Sequence, residues 1–443
     1  MRINGSNTRE RMTNMIFDHR HRRLAAAAVL GALVLFGAAA CDLNDLLDVQ
    51  PVDRVPAEDL PVPVNAQLLL NGAVGDFECA YGAYVALSAV VAGEMTDATQ
   101  TAARWPADRR DFSRTADQDQ YGTFGCEGLG VYVPLSTARW SSENILTLLQ
   151  AWTDAELGEF GFDRDELIAG AAAYAGYTYT IMGEGFCSMA IDTGPELTPD
   201  EVFQRAVERF TTAISAAQAA GDDDLLNLAR VGRARAYLNL GQETEALADA
   251  DAVPEGFEYY MSAGSEVGRR YNRVFAQNGP LDDGGGEALS VGPAYREYQH
   301  YGEDDPRVSV SGYIRTNSDG TDVYLQQKYT ALDDPIVLAS YDEAQLMIAE
   351  IEGGATAVGI INDFHLAAGL APFVSVDPAE IAAHVIEERR AELWLEGQRF
   401  NDIDRFDLPL DPAPGTAHRK GLTYGDYRCF PLPDVEIRNN PNI

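Results

Sequence analysis

The sequence predicts a mostly α-helical fold built from helical hairpins, with long loops and a small β insertion. Three observations support this fold class. Apolar residues recur at helical spacing through most of the chain after residue 65. Four helix-then-glycine steps each precede another amphipathic segment. The stretch from about residue 255 to 340 instead carries short runs typical of β-strands.

The size and charge of the chain exclude several classes of protein. Its 443 residues are 46% hydrophobic and 9% aromatic, which is enough to bury a full core and argues against disorder. The formal net charge is −36, and Lys328 and Lys420 are the only lysines. Nucleic acid and other anionic polymers are not expected ligands, because phosphate binding needs a basic surface. The acidity is instead typical of solubility in an exposed setting.

Residues 1–40 are predicted to be a secretory signal peptide. Arginines give the segment a basic start, Leu24–Gly37 is apolar or small, and three alanines precede Cys41. The apolar run is shorter than the ~20 residues that a membrane-spanning helix needs. Translation from Met12 or Met15 would leave this signal intact.

The cysteine that follows the alanines resembles the cysteine of a bacterial lipobox. Cleavage there would leave Cys41 as the first residue, carrying acyl chains. Each buried methylene contributes ~0.8 kcal/mol, so several chains anchor a protein far better than one chain does. Residues 41–64 are therefore predicted to be a lipidated N-terminal tether. The alternative is a secreted protein in which Cys41 forms a disulfide.

The four other cysteines are predicted to form disulfides. Their number is even, as is typical of exported proteins, and three pairings are possible. No two of them have the C-x-x-C spacing of a zinc site. Four buried free thiols are the alternative. The residues are Cys79, Cys126, Cys187 and Cys429.

A helical domain is predicted over residues 65–443. It begins with a long apolar helix whose small residues suit close packing, followed by an irregular segment at 97–134. Thr198 is a good helix cap, with Pro199 in the first turn. The helices predicted before residue 221 are Asn65–Met95, Ser141–Trp152, Asp163–Gly183 and Pro199–Ala220.

The stretch Ala229–Ala250 resembles a tetratricopeptide helix pair. Small residues recur every three or four positions, and Gly241 ends the first helix. Gly183, Gly353 and Gly397 are predicted to end the first helix of three further hairpins. The four glycines are 58, 112 and 44 residues apart, whereas a regular solenoid would keep a period of about 34. An insertion at about 255–340 therefore separates the second and third hairpins.

Several motifs resemble those of the SusD/RagB family of nutrient-uptake lipoproteins, and they occur in the family's order along nearly the whole mature chain. The most specific is the block ERRAELWLEGQRFND at Glu388–Asp402. The other motifs are Leu47–Pro51, Asp305–Arg307, Gln327–Tyr329, Glu343–Glu350, Phe430–Pro433 and Asn439–Asn442.

This resemblance implies a SusD-like fold and a role in uptake. It implies a lipoprotein anchored in the outer membrane and facing the cell exterior, which captures an oligosaccharide or, in some members, a peptide. It also implies a partner, a SusC-like TonB-dependent β-barrel transporter to which the nutrient is delivered. No catalytic residue and no cofactor is implied.

Two other classes of function remain open at this point. A helical-repeat adaptor would assemble envelope proteins without binding a solute, so it would need no concave, aromatic-lined pocket. A glycoside hydrolase would need two carboxylates ~5–10 Å apart in a cleft. The acids of this chain offer no way to choose such a pair.

Exposed aromatic side chains are the expected ligand-binding residues, because the C–H faces of sugar rings stack on flat side chains and nearby polar groups bind the hydroxyls. Core packing is the alternative for each of them, and it is the interpretation preferred for Trp140 and Trp152. The first cluster comprises Trp105, Tyr121, Phe124 and Tyr132, near Arg104, Arg109 and Arg110. The second comprises Tyr295, Tyr298, Tyr301 and Tyr313, near Arg296 and Gln299.

The remaining polar motifs are interpreted as structural, and no metal site is expected. His300, His365, His384 and His418 show no metal-ligand spacing, and no nucleophile or phosphate-binding motif is present. Asp282–Gly286 is predicted to be a flexible loop, with a calcium site as the alternative. In the Glu388–Asp402 block, Arg389 with Glu392 and Arg399 with Asp402 are predicted to pair, being three residues apart on a helix.

Overall fold

The computed structural model describes residues 59–280 and 287–443. The predicted signal peptide, Cys41, most of the predicted tether and Asp282–Gly286 lie outside the described residues. Within the described part, 15 α-helices alternate with short strands, which confirms the predicted mostly α fold. Residues 61–443 form one compact unit.

The elements are numbered in chain order. The helices are α1 Ala66–Val91, α2 Trp105–Arg109, α3 Asp119–Thr123, α4 Tyr132–Ala151, α5 Asp154–Gly158, α6 Arg164–Gly185, α7 Pro199–Ala220, α8 Asp223–Asn239, α9 Glu243–Ala250, α10 Arg273–Asn278, α11 Tyr341–Glu352, α12 Gly354–Ala368, α13 Pro378–Glu392, α14 Arg399–Arg405 and α15 Asp434–Asn439. The strands are β1 Met95–Asp97, β2 Met189–Ala190, β3 Glu196–Leu197, β4 Glu258–Met261, β5 Leu289–Val291, β6 Gln299–His300, β7 Glu303–Asp304, β8 Arg315–Thr316, β9 Asp322–Val323 and β10 Ile336–Ser340.

Helix α1 is the centre of the core. It packs against α4, α6, α10 and α14. Tyr81 stacks on Phe77, and its hydroxyl donates a hydrogen bond of 2.9 Å to the carbonyl of Glu396, which ties α1 to the turn before α14. By length and composition Pro63–Val91 could cross a membrane, but 83% of its most apolar window is buried within the protein, as in a core helix.

The helical hairpins follow the prediction with two corrections. Helix α7 packs between α6 and α8, α9 packs on α8, and α12 packs on α11. Gly241 and Gly353 follow α8 and α11 with φ angles of 68° and 59°, which confirms that glycine ends these two helices. Gly397 does not end its helix, because α13 ends at Glu392 and Gly397 lies in the turn before α14. Gly183 does not end its helix, because α6 continues to Gly185.

Gly183 instead allows two helices to approach closely. A Cβ atom there would lie 2.7 Å from Cε1 of Phe203 on α7. Gly232 on α8 has the same role, since a Cβ atom would lie 2.3 Å from Cζ of Phe210 and 2.9 Å from Cζ of Tyr177. The hairpin stack therefore depends on aromatic rings that lie over glycines.

Replacing Gly232 with alanine is expected to lower the free energy of unfolding by about 1–3 kcal/mol, because the methyl group has no space beside Phe210. Urea denaturation measures this change. Gly359→Ala on α12 is the matched control, because no atom lies within 4 Å of the added Cβ. The control should be neutral or stabilise by up to ~1 kcal/mol. Equal effects of the two substitutions would contradict the packing argument.

All four remaining cysteines form disulfides, as predicted. Cys79 pairs with Cys126, which links α1 to the segment before α4. Cys187 pairs with Cys429, which links the end of α6 to the C-terminal segment. The backbone adds to the second link, since the Cys187 N–H donates to the carbonyl of Phe430 over 2.9 Å.

The Glu388–Asp402 block is mostly buried, but the ion pairs predicted within it are wrong. Arg389 pairs with Asp402 over 2.8 Å, and Glu392 contacts Arg307 over 3.3 Å. The reason is the turn between α13 and α14, where Leu395 and Gly397 both have positive φ angles. This turn brings Asp402 back over Arg389, so Arg389 pairs across the turn and not with Glu392 on its own helix. Leu393, Trp394 and Phe400 are buried, as predicted.

The stretch at 255–340 holds two small hairpins, β6–β7 and β8–β9, and the short helix α10. Strand β4 pairs antiparallel with β10, so the ends of this stretch lie side by side. Strand β5 pairs antiparallel with β1, with Met95 opposite Val291. The β1–β5 pair joins the stretch to the irregular segment that follows α1.

A buried carboxyl beneath the hairpins makes stability depend on pH. Glu343 on α11 is 2% exposed and lies 3.5 Å from Arg235. Arg235 also forms a bidentate ion pair with Glu184. Burial raises the pKa of Glu343 from 4.5 to about 7. The Glu343 carboxyl therefore binds a proton more tightly in the folded protein than in the unfolded chain. The stabilisation from this protonated carboxyl is present in full below pH ~4.5 and is lost as the pH rises through ~7.

Glu343→Gln is expected to raise the free energy of unfolding by about 1–3 kcal/mol at pH 8 and to change it little at pH 5. Urea denaturation at both pH values measures this difference. Glu184→Gln is the control and should destabilise at both pH values, because it deprives the buried Arg235 of its main partner. A Glu343→Gln variant less stable than wild type at pH 8 would refute this account.

Candidate functional site

The two irregular segments meet at the C-terminal end of α1. The chain turns at Gly93, which has a φ angle of 78°. The Gly292 N–H donates to the carbonyl of Glu94 over 2.8 Å. A Cβ atom at Gly292 would lie 2.0 Å from the carbonyl oxygen of Gly93, so this close approach requires glycine.

Around this crossing lie two adjoining cavities, which we call together the loop-face cleft. Their volumes are about 340 and 450 Å³, within the usual range for small-molecule sites. They share Gly93, Arg110, Ala294 and Asp411. The first cavity is also lined by Thr96, Asp108, Arg296, Thr321, Asp322, Pro412, Arg419 and Tyr424. The second is also lined by Tyr295, Glu387, Arg390, Arg399 and Leu408–Leu410.

Arg110 lies between the two cavities in a fixed position. Its backbone is left-handed, with a φ angle of 54°, and ends α2. Its Nη1 atom donates to the carbonyl of Asp411 over 3.0 Å, and its Nη2 atom donates to the carbonyl of Pro412. The guanidinium lies 5.1 Å from the centroid of the Tyr424 ring. Its Nε has no acceptor among the described residues.

Asp108 is the buried anion of the first cavity. It is 4% exposed and accepts hydrogen bonds from Thr96 Oγ1 over 2.8 Å and from His418 Nε2 over 2.8 Å. Although burial opposes ionisation, the hydrogen bond from His418 and the charge of Arg419, 2.9 Å away, hold the pKa of Asp108 below its usual value. The ionised carboxylate therefore orients Arg419 at the wall of the cavity.

The second cavity is rich in arginine. Arg390 pairs with Glu387 over 3.3 Å and lies 4.5 Å from the centroid of the Tyr295 ring. Arg399 forms no ion pair within 4.0 Å among the described residues. Arg390 Nε and Arg399 Nη1 have no acceptor there either. A ligand with several oxygen atoms would satisfy such donors.

An aromatic strip, Tyr313 and Tyr324, continues outward from Arg296. The Arg296 guanidinium lies 4.5 Å from the centroid of the half-buried Tyr324 ring, and its Nε donates to the carbonyl of Val291 over 3.0 Å. The rings of Tyr324 and Tyr313 meet edge to face with centroids 6.3 Å apart. Tyr313 is 56% exposed, so the strip offers a flat face next to Arg296, which lines the first cavity.

The two predicted clusters meet in the structure, but the residues that meet are their arginines and not most of their aromatic rings. Arg110 of the first cluster and Arg296 of the second line the same cavity. The expected exposure of four of the rings is wrong. These rings, Tyr121, Tyr132, Tyr295 and Tyr298, are at most 8% exposed.

Long-range packing explains the burial. Tyr121 stacks on Phe430 with centroids 4.9 Å apart, and Tyr132 packs against Phe186. Tyr295 stacks on Trp394 with centroids 6.2 Å apart. These contacts bury the rings inside the protein, which leaves them no free face for a sugar.

Besides Tyr313, three predicted residues keep an accessible ring. Phe124 and Tyr301 are exposed but do not line the loop-face cleft. Trp105 is half-buried, with its ring centroid 5.8 Å from Lys420 Nζ. Its Nε1 donates to the carbonyl of Thr99 over 3.3 Å. A ligand-binding role for these three residues stays a prediction.

The C-terminal contributors to the cleft, Asp411, Arg419 and Tyr424, were not among the predicted site residues. The irregular, charged composition of 407–429 is the signal that could have found them. Trp140 was predicted to pack, which is wrong, since it is 56% exposed at a separate cavity of about 410 Å³. Trp152 is half-buried against the core, in agreement with packing.

Comparison with known proteins identifies the fold. No protein-family model and no curated protein matches the chain. A solved SusD superfamily protein of Bacteroides vulgatus is 17% identical with a TM-score of 0.67, covering 86% of this chain and 97% of that chain. A SusD-like carbohydrate-binding protein of the same species is 16% identical with a TM-score of 0.63, covering 86% and 97%.

A third similar structure contains a ligand. Surface glycan-binding protein A of Bacteroides thetaiotaomicron, solved in complex with laminarihexaose, is 14% identical with a TM-score of 0.63, covering 85% of this chain and 97% of that chain. Likeness at this identity establishes the fold. The chain has a SusD-like fold, as the sequence motifs predicted.

Proposed function

We propose that this protein is a surface solute-binding protein that captures an oligosaccharide in the loop-face cleft and performs no reaction on it. The observation that carries the proposal is the composition of that cleft. Guanidinium and carboxylate groups surround two adjoining cavities, and an aromatic strip begins at Arg296, which lines the first cavity. The SusD-like fold of a protein solved with laminarihexaose supports the same conclusion.

The groups in the cleft suit the chemistry of a sugar. Each hydroxyl both donates and accepts hydrogen bonds, so it needs donors and acceptors side by side. Arg296 and Arg419 supply planar donors, and the exposed carboxylate of Asp322 supplies an acceptor at the first cavity. Tyr324 and Tyr313 offer faces for the C–H side of a ring.

The form of the cleft favours a short, neutral oligosaccharide over a monosaccharide or a polyanion. Two adjoining cavities accommodate successive sugar units, and the aromatic strip extends the contact beyond the first cavity. Asp108, Asp322, Glu387 and Asp411 balance much of the arginine charge. The chain as a whole carries a charge of −36, which repels anionic polymers.

Isothermal titration calorimetry of the full chain with a panel of neutral oligosaccharides and peptides tests this proposal. We expect saturable binding of at least one oligosaccharide and no release of smaller sugars after prolonged incubation. Steady sugar release would identify a glycoside hydrolase instead. Binding of peptides alone would assign the cleft to peptide capture, and binding of no solute would support the adaptor alternative.

The same proposal includes where the protein acts and to what it delivers its ligand. The protein would be attached to the outer membrane through acyl chains on Cys41, facing the cell exterior, beside a SusC-like TonB-dependent β-barrel transporter. The signal-like segment before Cys41 and the SusD-like fold support this arrangement. A stable complex of this kind should bury more than ~1,000 Å².

Affinity purification of the lipidated protein from detergent-solubilised outer membranes tests the partnership. We expect a large β-barrel transporter in roughly stoichiometric amount. Cys41→Ala is the matched control, because it removes the acylation site and leaves the described domain unchanged. Recovery of no barrel with the anchored protein would leave glycan capture standing and would refute the delivery role.

A further inference from the structure

Three of the four histidines after residue 40 meet in one buried cluster with Glu388. His300 lies on β6, His365 lies near the end of α12, and His384 and Glu388 lie one turn apart on α13. Their side chains are at most 5% exposed. Spacing along the chain predicts no metal site, whereas the folded chain brings these side chains together from three elements.

The four donor atoms surround a single point. The Nε2 atoms of the three imidazoles are 3.1, 3.2 and 3.3 Å apart. Glu388 Oε1 lies 2.8 Å from His300 Nε2, 2.8 Å from His365 Nε2 and 3.6 Å from His384 Nε2. Zinc binds imidazole nitrogen at about 2.0–2.1 Å, so neighbouring ligands of a tetrahedral site lie about 3.3 Å apart. The cluster therefore has the dimensions of a tetrahedral zinc site.

Hydrogen bonding alone does not account for this arrangement. His365 Nδ1 lies against the carbonyl oxygen of Ala371, which requires a proton on Nδ1 and, in the neutral ring, places the lone pair on Nε2. That lone pair faces the Glu388 carboxylate and two other ring nitrogens. His384 Nδ1 has no partner among the described residues. A cation at the centre would remove the repulsion between these acceptors.

The surroundings resemble those of a zinc ligand set. Arg307 Nη1 donates to Glu388 Oε2 over 2.7 Å, and Asp305 holds Arg307 over 2.7 Å. Such outer partners orient ligands and are part of metal sites. On either side of the His384 ring, Phe373 and Tyr301 stack at centroid distances of 3.8 and 4.1 Å. The cluster is thereby enclosed.

We propose that His300, His365, His384 and Glu388 bind one zinc ion that fastens the β6–β7 hairpin to α12 and α13. Imidazole-rich, four-coordinate sites favour zinc, whereas calcium and magnesium need more oxygen ligands. Four protein ligands leave no open position, so the site is structural and not catalytic. The metal would also fix Tyr301, whose exposed ring is carried by the turn of this hairpin.

Zinc titration of the full chain, after removal of bound metal with a chelator, tests this proposal. Competition with a chromophoric chelator should give one zinc ion per chain, and zinc should restore a melting temperature that the chelator lowers. Calcium and magnesium should not restore it. His384→Gln and His365→Gln should each weaken zinc binding by more than about 100-fold. His418→Gln is the matched control, because His418 is also buried but pairs with Asp108 outside the cluster.

Cobalt(II) binding to the wild-type chain is a second measurement. It needs no variant, so it remains informative if a substituted chain loses stability. The stripped wild-type protein should develop the intense visible bands of tetrahedral cobalt(II), and zinc should displace them. Zinc uptake by His384→Gln equal to that of wild type, or an octahedral cobalt spectrum, would overturn the four-ligand site. Absence of zinc uptake by the wild-type chain would identify the cluster as a histidine–carboxylate hydrogen-bond network.

Discussion

Replacing Asp402 with asparagine is expected to lower the free energy of unfolding by about 3–5 kcal/mol. Arg389 and Asp402 are 5% and 1% exposed and lie 2.8 Å apart, and the substitution would leave a buried guanidinium without its counter-charge. Burial opposes ionisation of Asp402, but the charges of Arg389 and Arg405 hold its pKa below 3.8. Its stabilising contribution is therefore present near neutral pH and is lost as the pH falls through the acid range.

Urea denaturation of wild type and variant at pH 7 and at pH 3 measures this effect. The difference in the free energy of unfolding between wild type and variant should reach about 3–5 kcal/mol at pH 7 and be smaller at pH 3. Asp404→Asn on the same short helix is the matched control, because Asp404 is exposed, and it should change stability by at most ~0.5 kcal/mol. A loss below 1 kcal/mol for Asp402→Asn would show that the Arg389–Asp402 pair does not hold the turn between α13 and α14.

Replacing Tyr324 with alanine is expected to weaken oligosaccharide binding by about 10–100-fold, or about 1.4–2.8 kcal/mol. The substitution removes the ring that lies between Arg296 and the exposed Tyr313. Both the stacking face and the position of the Arg296 guanidinium would be lost. Calorimetric titration of the wild-type and variant chains with the same glycan measures the change.

Trp140→Ala is the control for this experiment, since Trp140 is an exposed aromatic at a separate cavity. It should leave the affinity unchanged, and thermal melts should show both variants folded. A large loss with Trp140→Ala and none with Tyr324→Ala would move the binding site to the α4–α6 side of the protein.

The hairpin architecture could be predicted because its determinants are local. Helical periodicity identified the main helices, and glycines such as Gly241 and Gly353 identified their ends, since a residue with a positive φ angle is needed there. The pairing of Arg389 with Asp402 could not be predicted in the same way. It depends on the positive φ of Leu395, a residue type that rarely adopts it.

The site was harder to predict because its parts are distant in sequence. Tyr121 is buried by contacts with a segment more than 300 residues later in the chain. Its hydroxyl donates a hydrogen bond to the carbonyl of Pro431 in that segment. Periodicity carries no information about such contacts. The histidine cluster joins His300 to His384 across 84 residues, beyond the reach of any short motif.

Locating a bound oligosaccharide in a crystal structure of the full chain tests the central claim most directly. The proposal predicts an intact glycan in the loop-face cleft, with its hydroxyls on Arg296 and Arg419 and one ring on Tyr324 or Tyr313. A glycan at the Trp140 cavity, or a cleaved glycan in the cleft, would contradict the claim that this cleft captures oligosaccharide without reaction.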